Sequence, residues 1–363
     1  MPSLYDVCKP LLFRLPPETA HRLVHASLRS FQRTPLLGPV SRRFTVDDDR
    51  LVTTAFGQRF HNPVGVAAGF DKNSEIPRAL AALGFGFVEV GGVTAVPQSG
   101  NPRPRLFRLP ADEALINRMG LNNEGAETIG QRLNELDAPV PVGVNIAKSE
   151  HVSPADAPAD YRRTYEQVTG ADFFVVNISC PNSQGFAELQ NRESLAAILD
   201  ELTTAGAAPL LVKLSPDLPP PAVDDALSLV SEFGVDGVVA TNTTTSRPAS
   251  LRSPHRAEKG GLSGRPIERE ATEMVRYVAR RVDVPVVGVG GVATAEDAYR
   301  KIRAGASVVQ LYTGLVYRGP TIARDINRGL LALLEQDGFD HVEEAVGVDT
   351  ETERPNGHSG WER

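Results

Sequence analysis

Apolar residues along the chain gather in eight short, β-branched runs, at 64–68, 87–93, 140–146, 173–178, 209–214, 237–240, 284–289 and 307–311. Each run is followed by a stretch with apolar positions at helical spacing. Strands buried on both faces read as continuous apolar runs, and parallel strands need a crossover, usually helical, between them. The repeat predicts an α/β fold, a single (β/α)8 TIM barrel, with an open doubly wound sheet as runner-up.

The residues just after these runs separate the two readings. Gly69 and Lys72, Gly91 and Gly92, Asn145, Asn177 and Asn182, Lys213, Thr241 to Thr243, Gly290 and Gly291, and Tyr312 to Gly314 all stand at or just beyond a strand's carboxyl end. A barrel brings those ends to one mouth, whereas an open sheet spreads them along a line. Convergence favours the barrel.

Two segments flank it. Residues 3–13 and 18–31 carry apolar positions at helical spacing (Leu4, Val7, Leu11 and Leu12, then Leu23, Val24, Leu28 and Phe31), split by Pro16 and Pro17. Proline there is a helix-start signal. The chain thus divides into an N-terminal helical extension (1–45), a barrel (46–334) and an acidic tail (335–363) whose composition predicts mobility.

Charge sharpens this division. The net charge of −7 argues against nucleic-acid binding. Yet residues 1–45 hold seven basic and two acidic side chains (7 − 2 = +5), while residues 335–363 hold two and nine (2 − 9 = −7). Amphipathic helices with basic flanks suit a peripheral membrane surface or a partner groove, and a plain helical lid is the alternative. No run of about 18 apolar residues occurs, so no transmembrane helix is expected. The first ten residues lack the basic-then-apolar form of a cleaved signal. Two cysteines, Cys8 and Cys180, are too few for a disulfide framework or a multi-thiolate centre; they fit a reducing cytoplasm, and no metal is expected.

Four groups of residues carry chemistry. Gly290 and Gly291 after the seventh run, with Tyr312, Thr313 and Gly314 after the eighth, stand where such barrels bind phosphate, although tight turns also need glycine. Lys72 and Lys213 adjoin apolar runs, so each needs an anionic partner unless it reaches the surface. Asn117, Asn145, Asn177, Asn182 and Asn242 offer amide donors and acceptors that match the alternating edge of a cyclic imide; singly, each is as readily a turn or cap residue. Cys180 sits in a polar turn beside proline, where packing gives little reason for a thiol. With a pKa of about 8.5, a thiol can serve as a general base without a paired histidine, and inert packing is the bland alternative. Cys8, on the first helix, reads as inert.

Five runs carry a resemblance: Ala67-Ala68-Gly69-Phe70-Asp71-Lys72, Asn117-Arg118-Met119-Gly120, Asn177-Ile178-Ser179-Cys180-Pro181-Asn182, Ala240-Thr241-Asn242-Thr243-Thr244 and Gly260-Gly261-Leu262-Ser263-Gly264-Arg265-Pro266. Over residues 3–330 the chain resembles the dihydroorotate dehydrogenase family. That resemblance implies oxidation of dihydroorotate to orotate in pyrimidine biosynthesis, with FMN as cofactor. It implies that FMN is held by Ala67, Ala68, Gly69, Gly92, Asn145, Asn177, Lys213, Thr241, Gly264, Gly291, Tyr312 and Thr313. Substrate contacts fall to Lys72, Asn117, Arg118, Met119, Gly120, Leu121, Asn177, Asn182, Asn242 and Thr243, and Cys180 takes the base position.

The helical extension and the stretch from Gly100 to Leu109 resemble the membrane-associated class, which uses a quinone as acceptor and lies peripherally on the cytoplasmic face of the cell membrane. In that class His21 and Arg108 would lie on the quinone side. Three positions depart from its pattern: cysteine rather than serine at 180, Gly92 where serine or threonine is usual, and Leu121 where phenylalanine is usual. A cysteine base is typical of the soluble class using fumarate or NAD, which stays the alternative. A phosphate-binding barrel lyase or isomerase and a non-catalytic scaffold are the weaker rivals.

Overall fold

The structure, a computed structural model, describes residues 4–179, 189 and 191–351. A hairpin of β1 (Thr53–Ala55) and β2 (Gln58–Phe60) precedes the barrel. Barrel strands β3 (Val64–Val66) and β4 (Phe87–Val93) follow. An antiparallel excursion of β5 (Leu106–Leu109) and β6 (Ala114–Asn117) then leaves the barrel. Strands β7 (Val142–Ile146), β8 (Phe173–Asn177), β9 (Leu210–Leu214) and β10 (Gly237–Ala240) continue it. Next, β11 (Gly261–Gly264) pairs with β6, and β12 (Val286–Val289) and β13 (Ala306–Leu311) complete the ring. The eight parallel strands close in the order β10-β12-β13-β3-β4-β7-β8-β9, which excludes the open sheet.

Every barrel strand falls on one of the eight apolar runs, but three start later than the run does. Strands β7, β9 and β12 begin directly after Pro141, Pro209 and Pro285. These prolines still accept from Val88, Phe174 and Val238 of the next strand at 3.1, 2.9 and 3.1 Å. Having no N–H, they cannot return a bond, and the ladder starts one residue on.

Inside the ring, two glycines make room for two rings at the amino ends of the strands. A Cβ on Gly65 would lie 2.4 Å from the Phe87 ring, and one on Gly143 would lie 2.1 Å from the Phe173 ring. The hairpin closes this end, with Phe56 centred 5.1 Å from Phe173 and Phe60 5.0 Å from Phe87. The larger core lies between the strands and the outer helices.

The extension forms α1 (Leu4–Arg14) and α2 (Pro17–Phe31), close to the predicted spans, plus an unpredicted α3 (Leu37–Phe44). Gly38 and Pro39 read as breakers, yet proline is tolerated in a first helical turn. Polar side chains fasten the extension to the barrel. Glu18 pairs with Arg103 at 3.0 Å and Arg105 at 2.9 Å, Arg29 pairs with Glu75 at 2.6 Å, and Gln32 donates to the Glu75 carbonyl at 2.7 Å. From α1, Tyr5 donates to the Val316 carbonyl at 2.6 Å and Lys9 to that of Tyr317 at 3.0 Å.

The acidic end departs from expectation. A helix runs from Ile322 to Asp337, and residues 338–351 fold back against the barrel with Val342 and Ala345 fully buried. Arg303 holds Asp349 at 2.8 Å and Asp337 at 2.5 Å. Composition averages over the few apolar and ion-paired residues that dock this segment, which is why it predicts mobility where residues 338–351 pack; residues 352–363 of the tail lie outside the described residues.

Candidate active site

The carboxyl ends of the barrel strands open into one cavity, roofed by the β5–β6–β11 sheet through Leu106, Leu115, Asn117, Ser263 and Gly264. All twelve residues expected to hold the flavin line it: Ala67, Ala68, Gly69, Gly92, Asn145, Asn177, Lys213, Thr241, Gly264, Gly291, Tyr312 and Thr313. Of the residues expected at the substrate, Lys72, Asn117, Met119, Gly120, Leu121, Asn177, Asn242 and Thr243 line it as well. Arg118 does not. Its guanidinium pairs with Glu258 at 2.8 Å and lies 4.5 Å over the Phe107 ring. Cys180 and Asn182 lie outside the described residues.

The floor of the cavity is a buried polar network joining the expected Lys213, Asn145, Asn177 and Asn242 to Glu89 and Gln310, which sequence reasoning missed. Glu89, in the middle of β4 and fully buried, accepts from Asn145 Nδ2 at 2.7 Å and Lys213 Nζ at 3.2 Å, and from Gln310 Nε2 at 2.7 Å. Asn177 Nδ2 continues to Asn145 Oδ1 at 2.9 Å, and Asn242 Nδ2 reaches Ser179 Oγ at 2.9 Å. An isolated buried carboxylate is costly, so lysine and amides from three other strands of the ring, β7, β9 and β13, answer it across the barrel interior. The signal was present: an acid in an otherwise apolar or glycine strand must have a partner inside the ring.

Lys72 differs. It is half-buried, and its amine donates to the Gly69 carbonyl at 2.7 Å. Burial, helped by the nearby Arg105 guanidinium, pulls its pKa down to about 8, against the opposing pull of Glu18 and Asp71. Its charge is therefore present at neutral pH, with no carboxylate in direct contact among the described residues.

On the cavity's α2 side runs a line of rings. Tyr312, whose pKa burial pushes up to about 12, lies 5.5 Å from Phe70, and Phe70 lies 5.4 Å from His21. Burial, with Lys72 and His25 adding to it, depresses the His21 pKa to about 3, so its ring is neutral at physiological pH. Arg108 is committed to the extension, donating to the carbonyls of Phe13 and Leu15 at 2.9 and 3.0 Å.

At the opposite end, Gly290 and Gly291 take left-handed φ values of 113° and 77°. A Cβ on Gly291 would fall 2.4 Å from the Glu268 Cα, so the turn needs glycine to pass the first turn of the Glu268–Ala279 helix. Ser263 and Thr313 hydroxyls meet beside it at 2.8 Å. Two of the departures from the family pattern also meet: a Cβ on Gly92 would lie 2.8 Å from Leu121 Cδ2. Glycine at 92 and the branched Leu121 thus share one space.

A barrel mouth with a glycine turn after its seventh strand, a hydroxyl pair beside it, amide groups along its floor and a buried lysine fits a flat heterocycle carrying phosphate. Such a site suits a flavin-binding (β/α)8 oxidoreductase. The dihydroorotate dehydrogenase profile matches residues 50–334. A Haloarcula marismortui protein named dihydroorotate dehydrogenase (quinone) is 70% identical over 346 residues, covering 95% of this chain and 99% of that one. One of the same name from Natronomonas pharaonis is 63% identical over 348 residues, covering 96% and 99%. The ligand-free structure of the Eimeria tenella enzyme matches with TM-score 0.85 at 38% identity, over 92% of this chain and 99% of that one. The chain belongs to the dihydroorotate dehydrogenase family.

Proposed function

We propose that this protein oxidises dihydroorotate to orotate through bound FMN and passes the electrons to a quinone. The observation that carries this reading is the pair of lysines around one amide-lined cavity, one neutralised by Glu89 and one left with its charge for an anionic ligand. FMN supplies an acceptor for the hydride leaving substrate C6. Lys213, Asn145 and Asn177 would hold the flavin ring, and the Gly290–Gly291 turn with Thr313 its phosphate. Lys72 would bind the substrate carboxylate, while Asn117, Asn242 and Thr243 orient the ring through its imide edge. Cys180 would take the C5 proton on Sγ, an assignment that rests on its position in the sequence motif.

The test is anaerobic mixing of the flavin-loaded protein with dihydroorotate. Bleaching of the flavin band is expected, with recovery on adding a soluble quinone and not on adding fumarate or NAD. Persistent colour would remove the substrate; recovery with fumarate or NAD alone would move the protein to the soluble class. Cys180→Ala should keep the bound flavin and slow its reduction by about 100-fold or more.

Peripheral attachment to the cytoplasmic face of the cell membrane belongs to the same proposal. Val7, Leu11, Leu15, Leu23 and Leu36 are exposed apolar residues of the extension, and its Arg14, Arg42 and Arg43 are exposed too. No helix among the described residues is long and apolar enough to cross a membrane. The quinone would approach the flavin between the extension and Tyr312. Val7→Ser with Leu11→Ser should weaken vesicle binding and quinone turnover while leaving reduction by dihydroorotate intact; unchanged vesicle binding would leave α1 a lid.

A further inference from the structure

Helix α2 also walls a second cavity, which adjoins the first because Lys72 and Met119 line both. Its charge is strongly one-sided. Six cationic side chains (Arg22, Arg29, Arg33, Lys72, Arg103 and Arg105) face two carboxylates, Glu18 and Glu75, giving 6 − 2 = +4 in a chain whose net charge is −7.

The carboxylates are already used. Glu18 takes Arg103 and Arg105, and Glu75 takes Arg29. Arg22 and Arg33 form no ion pair among the described residues, and both are exposed. Arg22 stands seven residues before Arg29 on one side of α2, and Arg33 follows in the turn just past its end, with all three lining the cavity. The cavity therefore has solvated, unpaired cations at its rim, ion-paired arginines in its wall, and a lysine without a carboxylate partner among the described residues where it joins the flavin cavity. Charge of one sign in a cleft with low-dielectric walls concentrates the opposite ion, and rim charges left in water attract without trapping.

We propose that this second cavity is the entry vestibule for the anionic substrate, drawn in by Arg22 and Arg33 and received by Lys72. The proposal rests on the reading of dihydroorotate, a carboxylate, as substrate.

The experiment is stopped-flow anaerobic reduction of the flavin-loaded enzyme by dihydroorotate, at low and high ionic strength. It yields the second-order constant at low substrate and the limiting rate at saturation. Arg22→Gln with Arg33→Gln should lower the second-order constant by about tenfold at low salt, converge with wild type at high salt, and leave the limiting rate unchanged. Ala26→Trp, an exposed position in the cavity wall, should lower the second-order constant at every salt concentration, again without changing the limiting rate. Unchanged second-order constants in both variants would overturn the vestibule, as would a loss confined to the limiting rate. So would intact reduction kinetics combined with lost binding to anionic vesicles, which would give the rim arginines to lipid headgroups. A wild type that dihydroorotate does not reduce defeats the substrate assignment and the vestibule together; a reduced wild type with unaltered variants defeats the vestibule alone.

Discussion

Lys213 and Lys72 line the same cavity, each beyond or within a barrel strand, and their charges are handled in opposite ways. Lys213 rises from β9 into the ring, where Glu89 waits at 3.2 Å with Asn145 and Gln310 around it. Lys72 lies on the loop after β3, with one carbonyl as its hydrogen-bond partner and Arg105 nearby. A third lysine extends the series. Lys301, fully buried behind β12, donates to Thr272 Oγ1 at 2.8 Å and the Glu268 carbonyl at 3.3 Å, and burial pulls its pKa down to about 7. A charge answered inside the fold builds the site, and one left unanswered at a cavity is available to a ligand. One buried away from both is a cost to stability.

The largest effect should come from breaking the answered pair. Lys213→Ala leaves Glu89 buried without its cation and should cost about 3–5 kcal/mol in denaturant unfolding. Adding Glu89→Gln to Lys213→Met should recover most of that loss. A cost below about 1 kcal/mol for the single variant would show that the amides alone carry Glu89.

Lys72→Gln should behave the other way, changing stability by less than about 1 kcal/mol. It should weaken orotate binding by about tenfold or more, as expected for a lost hydrogen bond to a charged group. Equal losses of stability and affinity would erase the distinction between the two lysines.

The same contrast predicts a pH dependence. With the free Lys72 pKa at about 8, an anion binds the protonated form, so orotate affinity should be flat below that pH. Above it the dissociation constant should rise toward about tenfold per pH unit, the slope of a single lost proton. Titration of the flavin spectrum with orotate reads this directly, and Lys72→Gln should abolish the slope.

Lys301 gives the smallest effect. Its folded pKa of about 7 lies below the ordinary 10.5, so the folded state binds fewer protons between those values. Stability should therefore rise as pH increases from about 7 toward 10. Lys301→Met should flatten that rise and stabilise the protein at neutral pH by about 1–3 kcal/mol. A destabilised variant with an unchanged pH profile would make the amine's bonds to Thr272 and Glu268 worth more than its burial costs.

Much of this arrangement was legible along the chain. Continuous apolar runs marked all eight barrel strands because both of their faces are buried, and burial of both faces is a local property of composition. Glycines and amides after the runs marked the mouth for the same reason: strand direction places them. The roof sheet was not recognised, since β5, β6 and β11 are only four residues long each and β11 comes from far along the chain to pair with β6. Arg118 reads as a substrate contact within its motif, but Glu258, distant in sequence, takes its guanidinium.

The sequence by itself thus determined the barrel, the side on which its chemistry lies and the family to which that chemistry points. Those follow from periodicity and motif, which need only neighbours along the chain. Tertiary structure alone decided which charges are neutralised. Glu89 meets Lys213 across 124 positions, Gly92 makes way for Leu121, and the docked α2 brings its arginines beside Lys72. Electrostatic balance and steric fit depend on distances through space, and those exist only once the ring has closed and the extension has docked on it.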